Sequence, residues 1–286
     1  LMKLKITASA LFVCTILLLL RGPCLQAGNT DHAPLPVLMY HHFDDSATAG
    51  TIVSGEKFRE QMTALKDAGY TTVTLPQLLD FVENGVPLPR KPALITMDDG
   101  YTSNLEIAAP ILEELDMCAT VFVIGINEGE DIYIHSGEPL TPLRFSYEEA
   151  ADWVEKGVLD LQSHSMDMHQ LDSYGSSERN GMLPIAGESG AAYRRAIQED
   201  TLLFRRRRMG RAATELTALA YPFGYYSEEL DRLLEEEGMV FTFTTEEHCN
   251  TLYIGDYSSL RMLGRYNVTE WISGQELVRL LDQSVL

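Results

Sequence analysis

The chain has 286 residues, of which 45% are hydrophobic and 22% are charged. A chain of this size can bury a full hydrophobic core, either as one large α/β domain or as two medium ones. With 22 basic residues against 42 acidic ones, its formal net charge is −20. This balance argues against nucleic acid or an anionic membrane surface as the main partner, because phosphate binding requires clustered Lys and Arg. The basic run from Arg205 to Arg208 is interpreted as a solvated helix face or loop.

The N-terminus is typical of a targeting segment. Lys3 and Lys5 precede an apolar stretch from Ile6 to Leu20, and small residues suitable for cleavage follow near Ala27. The apolar stretch is shorter than the ~20 residues that a membrane-spanning helix usually needs. We therefore expect a signal peptide over residues 1–27, with its retention as a membrane anchor left open. The protein is then expected to be extracytoplasmic, either secreted or associated with the cell envelope.

Short β-rich runs alternate with helical patterns from about residue 30 onward. The runs expected to form strands are 35–41, 71–75, 92–97, 118–124, 158–163, 216–222 and 239–244. The patterns expected to form helices are 55–69, 102–116, 146–157 and 227–238. Repeated strand and helix alternation predicts a parallel sheet, and seven or eight units suggest closure into a barrel. Residues 125–145 and 172–192 are expected to be long surface loops, and no linker divides the body into two domains.

Polar motifs follow four of the predicted strands at their carboxyl ends. They are YHHFDD at 40–45, DDGY at 98–101, HSMDMH at 164–169 and YPFG at 221–224. In parallel α/β folds the carboxyl ends of the strands meet at one rim, where the chemistry is done. Ordinary turns could give the same pattern, because every strand must end in something. The concentration of His and Asp favours a functional site, since it is not turn composition.

His164 and His169 are candidate metal ligands. On a helix, residues five apart lie ~140° from each other, so a single helical face cannot present both imidazoles to one ion. A strand tip followed by a loop that curls back could do so. Two imidazoles and one carboxylate suit zinc or another divalent transition metal, and they leave positions open for water and substrate. Two incidental loop histidines are the alternative interpretation.

Three motifs together carry a family resemblance. ITMDDGY at 95–101, SHSMDMH at 163–169 and AYPFG at 220–224 resemble, in this order and spacing, the polysaccharide deacetylases of the NodB-homology group, carbohydrate esterase family four. The resemblance covers roughly residues 35–270, and we assign the catalytic domain to 30–286. It implies a distorted (β/α) barrel of about seven units, folded as a single domain. It also implies that Asp98 is the general base and that Asp99 binds a metal beside the two histidines, with Zn²⁺ as the metal expected.

The chain departs from the common family pattern in its second and third motifs. The two histidines usually stand four residues apart, and the spacing of five between His164 and His169 is similar to the branch that includes the poly-N-acetylglucosamine deacetylases. Ala220 stands where the third motif usually has an arginine. Another residue must then orient Asp98, and Arg265 is the candidate.

The general acid is the third departure. No histidine follows His248, so the C-terminal histidine that usually protonates the leaving amine is missing. In the poly-N-acetylglucosamine branch the acid is a histidine that follows the first strand, which implies His41 here. A histidine satisfied within the core is the alternative for His41, and His42 or His135 would then become candidates.

The resemblance implies an exported, metal-dependent N-deacetylase that hydrolyses acetamido groups of an N-acetylhexosamine polysaccharide to free amine and acetate. The third motif, Tyr221, Pro222 and Phe223, is then expected to bind the oxyanion and the substrate, with the backbone N–H of Phe223 as one donor. Two alternatives stay open: a non-catalytic glycan-binding barrel, and a metal-dependent hydrolase of another acyl or amide group. The expected partner is an N-acetylated glycan, and neither nucleic acid nor a protein partner is implied.

Overall fold

A curled parallel β-sheet lies between two hydrophobic clusters. The computed structural model describes residues 31–46, 49–132, 135–174, 178–211 and 214–284. Within these ranges the strands are β1 His32–Leu35, β2 Val37–Tyr40, β3 His42–Phe43, β4 Ile52–Val53, β5 Thr71–Thr72, β6 Pro92–Asp99, β7 Ala119–Val123, β8 Leu159–Ser163, β9 Ala218–Ala220, β10 Phe241–Phe243, β11 Asn250–Tyr253 and β12 Tyr266–Asn267. The α-helices are α1 Gly55–Asp67, α2 Leu75–Asn84, α3 Ala109–Glu114, α4 Tyr147–Glu155, α5 Gly190–Arg208, α6 Glu228–Glu236 and α7 Gly274–Ser284.

The main sheet closes on itself through one late segment of the chain. Its strand order is β10-β9-β8-β7-β6-β2-β12, all pairs are parallel, and β5 adds to β6. Leu263 forms a parallel bridge with Phe243 in β10, and a few residues later Tyr266 pairs with Leu38 in β2. The segment 263–267 therefore joins both edges of the sheet. The prediction of a (β/α) barrel of about seven units is confirmed, and the barrel is distorted where β8 and β9 share a single residue pair.

Side chains along β6 alternate between two hydrophobic clusters. Ile95 and Met97 pack with the surrounding helices, whereas Leu94 belongs to the second cluster, with Phe122 and Phe243. This alternation follows the period of two in a β-strand. Asp98 is in phase with Leu94 and therefore continues the row that faces the barrel interior.

Serine caps mark the start of three of the four predicted helices. The predicted helices 55–69, 146–157 and 227–238 form, and each begins after a serine whose hydroxyl accepts a backbone N–H. The prediction of a strand over 71–75 is wrong beyond Thr72. Thr74 instead forms a capping box with Gln77 and starts α2, which had not been predicted. The predicted helix 102–116 begins as a π-helical turn over Asn104–Ala108 and continues as α3.

The N-terminal prediction is not addressed by the fold. The expected signal peptide, residues 1–27, lies outside the described residues. In the part of the chain that the structure describes, no helix is both long and apolar enough to cross a membrane.

Candidate active site

The two adjacent aspartates diverge at the end of β6. Asp98 and Asp99 are the last residues of the strand and pair with Phe122 and Val123 of β7, so they lie within the strand rather than just after it as predicted. Both carboxylates are buried, with exposed fractions of 2% and 7%. Asp99 has a φ of +73°, a left-handed conformation that is unusual for a residue with a Cβ atom. The chain therefore turns at Asp99, and the two neighbouring carboxylates can serve different functions.

The two histidines meet Asp99 because the chain reverses directly after β8. His164 follows the last residue of that strand, and Ser165 adopts a left-handed φ of +71° that turns the chain. His164 Nε2 and His169 Nε2 lie 3.5 and 3.4 Å from the same Oδ1 atom of Asp99. We call Asp99, His164 and His169 the Asp-His-His cluster, and its candidate ligand atoms all lie within 4.8 Å of one another.

The hydrogen bonding and burial of this cluster suit a metal. The ring Nδ1 of His164 lies 2.8 Å from the carbonyl oxygen of Ala220, so it donates there and leaves Nε2 with its lone pair directed to the cluster. Burial lowers the pKa of His169 to about 4, although Asp99 opposes this shift. Asp99 Oδ1 is buried and has no hydrogen-bond partner among the described residues. A buried carboxylate oxygen without a hydrogen-bond partner, beside two imidazole Nε2 atoms, fits a divalent transition metal.

Arg265 lies fully buried against Asp98. Its Nη1 and Nη2 atoms donate to Asp98 Oδ1 and Oδ2 at 2.7 and 2.8 Å, and its Nε donates to the carbonyl oxygen of Thr244 at 2.8 Å. Burial alone would raise the pKa of Asp98, but the Arg265 guanidinium, with a smaller contribution from His164, holds that pKa well below its usual range. Asp98 is therefore ionised at neutral pH, and its carboxylate is held in one orientation by Arg265.

His41 lines the same cleft on the side of β2. Its Nε2 atom lies 4.0 Å from Asp98 Oδ2, and its Nδ1 atom is buried with no hydrogen-bond partner among the described residues. The backbone carbonyl of His41 accepts a hydrogen bond from Asn104 Nδ2 at 2.8 Å, which fixes the residue at the strand end. The imidazole is thus held next to the predicted base and not packed into the core.

The third motif contributes a ring and a backbone turn to the cleft. Phe223 has a left-handed φ of +58°, and its ring centroid lies 4.2 Å from that of His169. Pro222 is buried behind it. The hydroxyl of Tyr221 donates to Asp231 at 2.5 Å, and its backbone N–H donates to Phe243. Tyr221 borders the cleft while its polar groups are engaged elsewhere, so it cannot bind substrate through the hydroxyl as placed here.

The remaining predicted histidines lie outside the cluster. His42 Nδ1 lies 2.9 Å from Ser103 Oγ, and its side chain borders a separate cavity of about 490 Å³. His135 stands at the rim of the main cleft, where its Nε2 lies 2.7 Å from Asp167 Oδ1. The structure therefore brings His41 next to Asp98 and leaves His42 and His135 further out.

A cleft of about 590 Å³ is lined by His41, Asp98, the Asp-His-His cluster, Tyr221 and Phe223. A family model described as polysaccharide deacetylase matches residues 85–242, more than half of the chain. The chain belongs to this family. The matched span contains Asp98, both histidines of the cluster and the third motif, whereas His41 and Arg265 lie outside it.

Individual members of the polysaccharide deacetylase family differ in how much of their length corresponds to this chain. YxkH of Bacillus subtilis is 28% identical over 242 residues, which is 85% of this chain and 74% of that protein. The poly-beta-1,6-N-acetyl-D-glucosamine N-deacetylase of Escherichia coli is 23% identical over 75% of this chain. The chain spans only 34% of that relative. A solved de-N-acetylase from Aggregatibacter actinomycetemcomitans covers 87% of this chain with all of its own length, at a TM-score of 0.74 and 18% identity, and has the same fold.

One residue of the cleft had no signal in the sequence. Arg144 is nine-tenths buried, and its guanidinium carbon lies 3.6 Å from the ring centroid of Tyr101. It lies in the predicted loop 125–145, where neither periodicity nor a motif singles out one residue. Only the approach of that loop to the end of β6 reveals that Arg144 borders the site.

Proposed function

We propose that this polysaccharide deacetylase is an exported, metal-dependent N-deacetylase acting on the acetamido groups of a poly-N-acetylglucosamine-like polysaccharide. The observation that carries the proposal is the meeting, in one cleft, of the Asp-His-His cluster, the Asp98–Arg265 pair and His41. The name of the E. coli relative supports the substrate class. Export is supported by the N-terminal sequence alone.

Hydrolysis of an amide requires an activated water, a stabilised oxyanion and a proton for the departing nitrogen. Asp99, His164 and His169 would hold a zinc ion. A divalent cation there supplies Lewis-acid chemistry, because it lowers the pKa of water toward ~7 and polarises the acetyl carbonyl. Asp98 takes the proton from the attacking water as that water bonds to the carbonyl carbon. Its orientation is maintained by the two hydrogen bonds from Arg265.

The second half of the reaction breaks the carbon–nitrogen bond. His41 in its protonated form donates a proton to the amide nitrogen as the bond to the carbonyl carbon breaks, so the products are acetate and a free amine. We assign the backbone N–H of Phe223 as a donor to the oxyanion. The Phe223 ring packs against His169 at the side of the cleft.

The decisive experiment measures acetate release. Residues 30–286, purified and supplied with zinc, are expected to release acetate from N-acetylglucosamine oligomers. Asp98→Asn should reduce the rate by about 10²- to 10⁴-fold, because it removes the group that accepts the proton. The same variant should still bind zinc, since Asp98 is not part of the cluster.

A substrate panel separates this proposal from its alternatives. Turnover of O-acetyl but not N-acetyl substrates would identify a hydrolase of another acyl group. A protein that binds zinc and glycan oligomers but is inert on every N-acetyl glycan would be a non-catalytic binding barrel, and the proposed activity would be wrong.

A further inference from the structure

His164 and His169 stand five positions apart, so the chain between them must fold back to bring both imidazoles to one point. His164 is fixed by the end of β8, but His169 depends on the path of the chain between the two. Met168 N–H donates to Ser165 Oγ at 3.0 Å, a hydrogen bond between two residues of the loop itself. This contact does not fix the loop relative to the rest of the protein, so the placement of His169 needs an external anchor.

One side of the loop is anchored by the backbone that follows β7. Gly125 N–H donates to the carbonyl oxygen of Ser165 at 3.0 Å, and Ile126 N–H donates to that of Met166 at 2.7 Å. These bonds satisfy loop carbonyl groups. The N–H groups of the same peptides point elsewhere and need acceptors of their own.

Those acceptors come from a single side chain on α5. Asp200 is 6% exposed, and its Oδ2 accepts the N–H of Met166 while its Oδ1 accepts the N–H of Asp167, both at 2.9 Å. Burial raises the pKa of Asp200 to about 6, and the two backbone N–H groups counteract that shift. The side chain is therefore largely ionised at neutral pH, and each oxygen of the carboxylate fixes one of two successive peptides in the middle of the loop.

We propose that Asp200 is a positioning residue for the metal site: its carboxylate holds loop 164–169 so that His169 reaches Asp99 and His164. The inference rests on the proposed metal dependence. Asp200 makes no hydrogen bond to a member of the cluster and acts through the loop backbone. Groups that hydrogen-bond metal-ligating side chains typically contribute 10- to 100-fold to metal affinity, and we expect an effect of the same order from a carboxylate that fixes the backbone next to a ligand.

The test is zinc affinity, measured by competition with a chromogenic chelator. Asp200→Asn keeps the volume of the side chain but turns one acceptor into an N–H donor facing a backbone N–H. We expect it to bind zinc about 10- to 100-fold more weakly than the wild type. Its deacetylase rate should recover as the zinc concentration is raised. Urea unfolding of the zinc-free variant separates weaker binding from a destabilised fold, because zinc also stabilises the folded state.

Asp160→Asn is the matched control. Asp160 lies at the opposite end of β8, four residues before His164, and accepts a hydrogen bond from Gln162 Nε2 at 3.0 Å rather than from the loop backbone. The same chemical change there should leave zinc affinity unchanged. If Asp200→Asn does not fold, Asp200→Glu carries the test, because it keeps the charge and displaces the acceptors by one methylene group.

The outcomes separate this inference from the proposed function. Wild-type zinc affinity in a folded Asp200 variant would overturn the positioning role and leave the deacetylase proposal intact. A wild-type protein that binds no zinc would overturn both. Weaker zinc binding in the Asp200 variant alone, with zinc rescue of activity, supports the inference.

Discussion

At the scale of single residues, Asp98 and Asp99 illustrate how adjacent identical side chains acquire different properties. Asp98 faces the barrel interior and is bound by the Arg265 guanidinium, which keeps its pKa well below the usual range in spite of burial. Asp99 turns out of the strand and leaves one oxygen without a partner among the described residues. The first is an ionised, oriented proton acceptor, and the second is an anion available to a cation.

Replacing Arg265 with Met tests how the pKa of Asp98 is set. The pKa of Asp98 should rise, because burial would no longer be opposed by the guanidinium, and the acid limb of the pH profile of kcat/KM should move to higher pH. Removal of one partner from a buried ion pair should also reduce the free energy of unfolding by about 3–5 kcal/mol. The pKa of Asp98 is lower in the folded than in the unfolded protein, so the ion pair stabilises the native state fully only at pH values above the unfolded pKa. The loss of stability should therefore be largest near neutral pH and become smaller on acidification.

The conservative control for that change is Arg265→Lys, which keeps the positive charge but loses the bidentate hydrogen bonding to Asp98. Its acid limb should shift less than that of the Met variant. An acid limb that is identical in the wild type and in Arg265→Met would show that Arg265 does not set the pKa of the proposed base, Asp98.

His41→Gln tests the proposed proton donor by varying the leaving group. With an acetamido sugar the departing amine needs a proton, so the rate should fall by about 10²- to 10⁴-fold. An activated aryl acetate has a leaving group that departs without a proton, and its hydrolysis should fall much less. Equal losses on both substrates, measured as kcat/KM, would argue that His41 acts in some other step.

At the scale of elements, three segments meet where the cluster loop passes between β7 and α5. A Cβ atom on Gly125 would lie 2.7 Å from Met166 Sδ and 2.9 Å from Phe204 Cδ2 of α5. These separations are shorter than ordinary van der Waals contact, so a side chain at this position would force Met166 or Phe204 to move. The placement of the cluster therefore depends on how closely α5 packs against the end of β7.

Gly125→Ala should therefore destabilise the protein by roughly 1–3 kcal/mol, because the added methyl group overpacks this junction. Urea unfolding measures the change. Gly190→Ala is the matched control: it lies at the start of α5 with open space around its Cα, and it should be neutral or stabilising by up to about 1 kcal/mol. Equal stability of the Gly125 variant and the wild type would mean that the junction adjusts freely.

At the scale of the whole molecule, closing the barrel and completing the site are the same event. Arg265 lies in the segment that joins the two edges of the sheet, between the bridge of Leu263 with β10 and the pairing of β12 with β2. From there its side chain reaches Asp98, 167 residues earlier in the chain. The carboxylate of Asp98, the proposed base, is thus oriented only when the last strand has docked.

Removal of the metal should lower the stability of the whole protein. A cation that binds only the folded protein at 100 times its Kd contributes about 2.7 kcal/mol. Chelation should then lower the melting temperature by on the order of 5–10 °C for a protein of this size. Differential scanning fluorimetry with and without zinc measures the shift, and Asp99→Asn should abolish it. An unchanged melting temperature on chelation of the wild type would count against Asp99 as a ligand.

Local sequence signals were sufficient to predict much of the fold and part of the candidate site. Hydrophobic periodicity, together with Ser and Thr caps, predicted the alternation of strands and helices and hence the barrel, because these signals act within one or two turns of chain. The same signals located Asp98, His164 and the YPFG turn at strand carboxyl ends, where a parallel sheet must bring them together. They failed at Thr72–Thr74, where a capping box competed with strand propensity and started a helix.

Tertiary structure decided everything that depends on contacts between distant segments. The sequence could only nominate Arg265 for Asp98, because no periodicity links residues 167 apart, and the closure of the sheet is what joins them. It offered no signal for Asp200, whose role exists only because α5 packs beside the loop of the two histidines. Residue type and local pattern thus determined which groups could do chemistry, whereas packing determined which of them meet and in what ionisation state.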